Sequence, residues 1–68
     1  MQPTPEDVLR ARKAVGMTQT EAGAVLGSQN GVWRKYELGT RQMSSPLWEL
    51  FLLKTHQHPT LKLVAQQQ

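Results

Sequence analysis

The sequence predicts an all-α domain of four to five short helices, with a helix-turn-helix over about 18–38. Three observations predict it. Apolar residues recur at helical spacing in segments of two to three turns. Most of these segments open on a threonine or serine able to cap a helix. Between the second and third segments Gly27 supplies a tight turn, and Arg34 and Lys35 lie on the segment that follows.

The chain has 68 residues, room for one domain over 1–68. A core this small contributes only a few kcal/mol, so good helix packing or a second subunit must support it. There is no cysteine, which excludes disulfides and thiolate zinc sites. Eight basic residues against five acidic ones leave a net charge of +3, which permits a nucleic-acid partner without demanding one. The N-terminal MQPTPED has neither the basic flank nor the apolar run of a secretion signal. The apolar patch Leu50 to Leu53 is far too short to span a bilayer. The expectation is a soluble cytoplasmic protein, loose at Met1 to Pro3 and at Gln66 to Gln68.

Helix 1 is expected over about 5–15. Thr4 caps it, Pro5 suits its first position, and Glu6 and Asp7 favour the positive end of the helix dipole. Val8, Ala11 and Val15 form its apolar stripe, and Gly16 supplies a left-handed stop. Helix 2 opens on a capping box, Thr18 with Glu21, presents Ala22, Val25 and Leu26, and ends at Gly27. Gly23 inside it implies close approach of another helix backbone. Helix 3 is expected from Gln29 or Asn30 to Leu38, closed by Gly39. Trp33 and Tyr36 lie on one face with Glu37 four residues after Trp33, and Asn30, Gly31, Arg34 and Lys35 lie on the other. The burial habits of aromatics favour core positions for Trp33 and Tyr36 over base stacking.

Helix 4 is expected from Ser45 as cap, with Pro46 in the first turn, to about Lys54. Leu47, Leu50 and Phe51 form a core stripe. Trp48 and Leu52 form a second stripe turned by roughly 100°. A helix apolar on several sides must be covered on more than one. Trp48 and Leu52 therefore meet either the C-terminal segment or a second subunit. The segment 56–68 contains a connector and a short last helix capped by Thr60, with Leu61, Leu63 and Val64 as anchors that fold back or cross to a partner. Trp48, Leu52, Leu61, Leu63 and Val64 are the candidate dimer interface.

The run Met17 to Arg41, with Thr18-Gln19, Glu21, Gly27, Tyr36-Glu37, Gly39 and Arg41 at their spacings, resembles the Cro/C1-type (Xre) helix-turn-helix family of phage and bacterial repressors. Trp33, Met43 and the block Leu47 to Phe51 are similar to small mobile-element regulators, among them the anti-CRISPR-associated (Aca) autorepressors. The resemblance implies a lambda-repressor-like domain whose third helix enters the major groove of double-stranded DNA. Carried over by position, Gln29, Asn30, Gly31, Val32, Arg34 and Lys35 form the presented surface. Asn30 suits adenine, Arg34 and Lys35 suit guanine or phosphate, and Val32 suits a thymine methyl. Gln19, Thr40 and Arg41 would meet the DNA backbone. The resemblance also pairs Arg12 with Glu37 to orient helix 3. Two residues depart from the pattern. Gly31 offers no side chain at a usual reading position, and Ser28 stands where an apolar residue is usual.

The expected function is a homodimeric repressor bound to an inverted repeat and autoregulating a small phage or mobile-element operon. The alternative, from the apolar excess of helix 4, is an antitoxin or other protein-interaction module. An enzyme is not expected: Ser44 and Ser45 have no base or orienting acid assignable beside them. His56 and His58 lack a third ligand, so no metal is expected. No cofactor, small-molecule ligand or membrane partner is indicated.

Overall fold

The computed structural model describes residues 2–29 and 31–58. Over these the protein is all-α, with α1 at Pro5–Ala14, α2 at Gln19–Val25, α3 at Val32–Leu38 and α4 at Ser45–Lys54. The expected last helix, with Leu61, Leu63 and Val64, lies outside the described residues, as does Asn30.

Local chemistry explains each boundary. Thr4 accepts from the Asp7 amide at 3.1 Å, and Asp7 accepts from the Thr4 amide at 3.0 Å, a reciprocal box that the sequence reading had reduced to a single cap. The Thr4 amide and hydroxyl hold the Asp7 carboxyl below its usual range. Thr18 and Glu21 build the second box as expected, at 3.0 and 2.8 Å. Gly16 and Gly27 both take left-handed φ values, +68° and +69°, where α1 and α2 stop.

Three expectations require correction. Helix 3 begins at Val32, later than the expected Gln29 or Asn30. Its N-cap, Gly31, sits at φ +86° with no side chain to cap the helix, and the Val32 amide bonds back to the Gln29 carbonyl at 3.3 Å in a turn ahead of the helix. Helix 4 is capped one residue earlier than expected. Ser44 is the cap, its hydroxyl 3.4 Å from the Leu47 amide, and Ser45 and Pro46 fill the first turn. Gly23 faces α3 at Trp33, but the approach does not require a glycine. A Cβ there would lie 3.7 Å from the Cβ of Trp33, an ordinary van der Waals distance.

α3 packs on both α1 and α2, and α4 closes the core with Phe51. The core is Val8, Ala11, Ala22, Trp33, Tyr36, Met43 and Phe51. Trp33 anchors it, tilted against Phe51 at 4.6 Å between centroids and edge-on to Tyr36 at 6.2 Å. Each such aromatic contact adds roughly 0.5–1.5 kcal/mol beyond area burial. Of the expected α4 stripe only Phe51 is fully buried. Leu47 packs on the core with Trp48 and Leu52, and Leu50 is half-buried. Met43 is fully buried from a loop, a position that helical periodicity does not reveal. Lys54 donates to the Val25 carbonyl at 3.1 Å, and Gln57 donates to the Ala11 carbonyl at 3.1 Å, so α4 is tied at its end to both α2 and α1.

The glycines give a paired prediction. Gly23→Ala should stabilise the domain by about 0.5–1 kcal/mol, because the site has room and alanine is the better helix former. Gly31→Ala should destabilise by roughly 1–2 kcal/mol, because its φ is left-handed. Urea titration of both variants checks this, and a loss of stability in Gly23→Ala would contradict the packing described.

Candidate nucleic-acid interface

The candidate interface is built around one carboxylate. Glu37 on α3 accepts from Arg12 Nε at 2.6 Å, Arg12 Nη2 at 3.1 Å, Gln19 Nε2 at 2.9 Å and Trp33 Nε1 at 2.6 Å. The donors come from α1, α2 and α3 itself. The remaining Arg12 nitrogen, Nη1, donates to the Met17 carbonyl at 3.0 Å in the α1–α2 connection. Only 9% of the Glu37 side chain and 15% of the Arg12 side chain are exposed. Burial, the largest single influence, pushes the Glu37 carboxyl up. The bonds from Arg12, Gln19 and Trp33, with the charge of Arg12, together outweigh it and hold the carboxyl below its usual range. The same bidentate contact holds the Arg12 guanidinium protonated against its desolvation.

With Glu37, Trp33 and Tyr36 turned inward, the outer face of α3 carries Arg34 and Lys35, both exposed. Arg41 is exposed in the loop that follows. Among the described residues no carboxylate pairs with any of the three. Four of the five acidic residues are engaged elsewhere: Asp7 and Glu21 in caps, Glu37 with its four donors, and Glu49 with His58 at 3.9 Å; the fifth, Glu6, is exposed in the first turn of α1. The three cations therefore keep a solvated positive field.

Gln29 and Gly31 are exposed before α3 and line, with Gln19, Thr20, Trp33 and Arg34, a depression of about 280 Å³ between the two helices. Val32 is only partly exposed, packed in part on the core. Thr40 and Arg41 are held by the Lys35 carbonyl, which accepts from both of their amides at 3.1 and 3.3 Å. Gln29, Gly31, Arg34, Lys35, Thr40 and Arg41 are thus accessible, whereas Gln19 divides its role. One of its amide hydrogens serves Glu37, leaving the other and the oxygen free. Asn30 lies outside the described residues. The expected Arg12–Glu37 pair is present as a two-pronged bond.

Sequence reasoning missed the Trp33 and Gln19 bonds to Glu37. The i, i+4 spacing of Trp33 and Glu37 was a usable signal for the first; nothing local marked the second. Trp48 and Leu52 line a separate shallow depression with Ala11, Ala14 and Gln57, between α1 and α4. Among the described residues no cluster of three or more His, Asp or Glu side chains is arranged to hold a metal, and no helix is long and apolar enough to cross a membrane. Compared with known proteins, the chain matches no family model and no curated protein.

The clamp predicts a pH dependence. The native carboxyl titrates below the unfolded one, whose ordinary value is about 4.3, so the stability from the ionised form is complete above that pH. It is lost as pH falls through the lower native value. Glu37→Gln should destabilise by on the order of 3 kcal/mol at neutral pH, because Arg12 is left without its counter-charge. The gap to the unmodified protein should narrow as the solution is brought to about pH 3. Thermal melts across that range test it; a gap independent of pH would show that the Glu37 charge contributes nothing.

Proposed function

We propose that the protein is a sequence-specific DNA-binding repressor of the Cro/C1 helix-turn-helix type. The observation that carries the reading is the outer face of α3, where Arg34 and Lys35 are exposed and have no carboxylate partner among the described residues, while Glu37 on the inner face is fixed from three helices. A reading helix must present its side chains at one orientation, and a rigid mount limits the orientational freedom lost on binding.

In this reading α3 lies in the major groove. Arg34 and Lys35 meet guanine edges or phosphates, and Gln29 and Asn30 meet bases ahead of the helix. Thr40, Arg41 and the free hydrogen of Gln19 meet the DNA backbone. One seven-residue helix reads only a few base pairs, so two copies on an inverted repeat would supply the affinity and specificity that one lacks. The domain would repress by occluding polymerase, acting on the promoter of its own small phage or mobile-element operon, an anti-CRISPR operon being one such setting. A second reading, a protein-interaction module such as an antitoxin, is favoured by the depression beside Trp48 and Leu52.

Fluorescence anisotropy on the DNA upstream of its own gene, against a scrambled duplex at two salt concentrations, separates these readings. Preference for the native duplex that survives the higher salt supports the repressor. No binding to either duplex, with a monomeric mass by light scattering, supports the interaction module. Arg34→Ala and Lys35→Ala should each weaken DNA binding by roughly fivefold or more while shifting stability by less than about 0.5 kcal/mol. A substantial fall in melting temperature would make them structural residues instead.

A further inference from the structure

We infer that the N-terminal segment Gln2 to Thr4 is a brace for the loop after α3, with Gln42 and Pro3 as positioning residues for Thr40 and Arg41. The inference rests on the DNA-binding reading of that loop and names what sets its geometry.

The loop 39–43 has no regular structure of its own, and α3 gives it anchors on one side only. The Gly39 amide bonds the Tyr36 carbonyl at 3.3 Å, and the Thr40 and Arg41 amides and the Thr40 hydroxyl all converge on the Lys35 carbonyl. The Gly39 amide reaches the Lys35 carbonyl as well, so the α3 anchors of the loop all fall on two adjacent carbonyls at the helix end. The far side is held from the chain start. Gln42 Nε2 donates to the Pro3 carbonyl at 3.0 Å across 39 residues of sequence. Pro3 is buried although it lies before the first helix, and its packed ring limits the movement of the segment that carries that carbonyl. Pro5 adds a steric stop, since a Cβ at Gly39 would lie 3.4 Å from its ring. Gly39 also needs its left-handed φ of +82°. Met43, 1% exposed, pins the loop where it enters the core. Arg41 and Thr40 therefore lie between the Lys35 carbonyl on one side and the Pro3 brace with Met43 on the other. Gln42 commits an amide hydrogen to Pro3, and the brace reaches DNA through the neighbours it positions, Thr40 and Arg41.

The test uses the full chain and the duplex that it binds. Gln42→Met keeps the length and neutrality of the side chain and removes the donor; Pro3→Gly frees the acceptor. Each should weaken binding about three- to tenfold and lower the slope of log affinity against log salt by about one phosphate contact, with helical content by circular dichroism retained. The loss from Gln42→Met should be clearly smaller in an Arg41→Ala background than in the unmodified protein, because the brace acts through Arg41 and Thr40 and only Thr40 is then left to respond. Full additivity of that pair, or an unchanged salt slope in Gln42→Met, overturns the brace while Arg41→Ala still weakens binding and the DNA reading stands. An Arg41→Ala variant that binds like the unmodified protein overturns the loop's part in DNA binding and the brace with it. Loss in Gln42→Met without any in Pro3→Gly marks Gln42 as a direct DNA contact and also overturns the brace.

Discussion

The fold depends on a carboxylate that three helices share. Glu37 takes four N–H donors, two from Arg12 and one each from Gln19 and Trp33, while nine-tenths of its side chain is out of solvent. A buried charge is tolerated only with its partners complete, since desolvating an ion costs several kcal/mol and the penalty is recovered through geometry. Here the geometry is also the mount. Any rotation of α3 about its axis lengthens bonds to α1 and α2 at once, so the interaction that neutralises the charge also fixes which side of α3 faces outward. The net contribution to stability can be modest while the contribution to orientation is large.

Around that clamp the apolar packing supplies most of the cohesion. Trp33 serves both systems, its rings against Phe51 and Tyr36 and its one N–H on Glu37. Polar and apolar halves of the core meet in one side chain, which leaves little room for α3 to slide without disturbing both. The longer-range bonds from Lys54 to the end of α2, and from Gln57 to α1, do the same for α4.

Much of this was legible in the chain, and the reasons are local. Thr4, Thr18, Gly16 and Gly27 act through their own backbone neighbourhood, so caps and stops could be placed within a residue. Trp33 and Tyr36 share one helix face, and the burial habits of aromatics favoured the core for it. Misreadings arose where a residue's role depends on distant atoms. The start of α3 moved because Gly31 is a left-handed cap, a role that a composition of Gln, Asn and Gly does not distinguish from a first helical turn. Met43 is core because a loop folds under α3, which no periodicity encodes. Gln19 looked like a surface amide because its partner lies 18 residues away. On the candidate interface, Arg34 and Lys35 were readable from the face opposite the aromatics, whereas the support from Pro3 to Gln42 spans 39 residues and had no sequence signal.

The brevity of α2 and α3 carries a consequence for modularity. Each has seven residues, well short of what persists alone in water. Neither can be lifted out of this chain with its conformation intact, because Glu37 would arrive in a new scaffold without Arg12, and Trp33 without Phe51. The portable unit is the stretch from Pro3, which holds Gln42, to Gln57, which holds α1. Under the DNA-binding reading proposed above, a change of specificity needs only new outward side chains at positions such as 29, 34 and 35, with the scaffold kept whole.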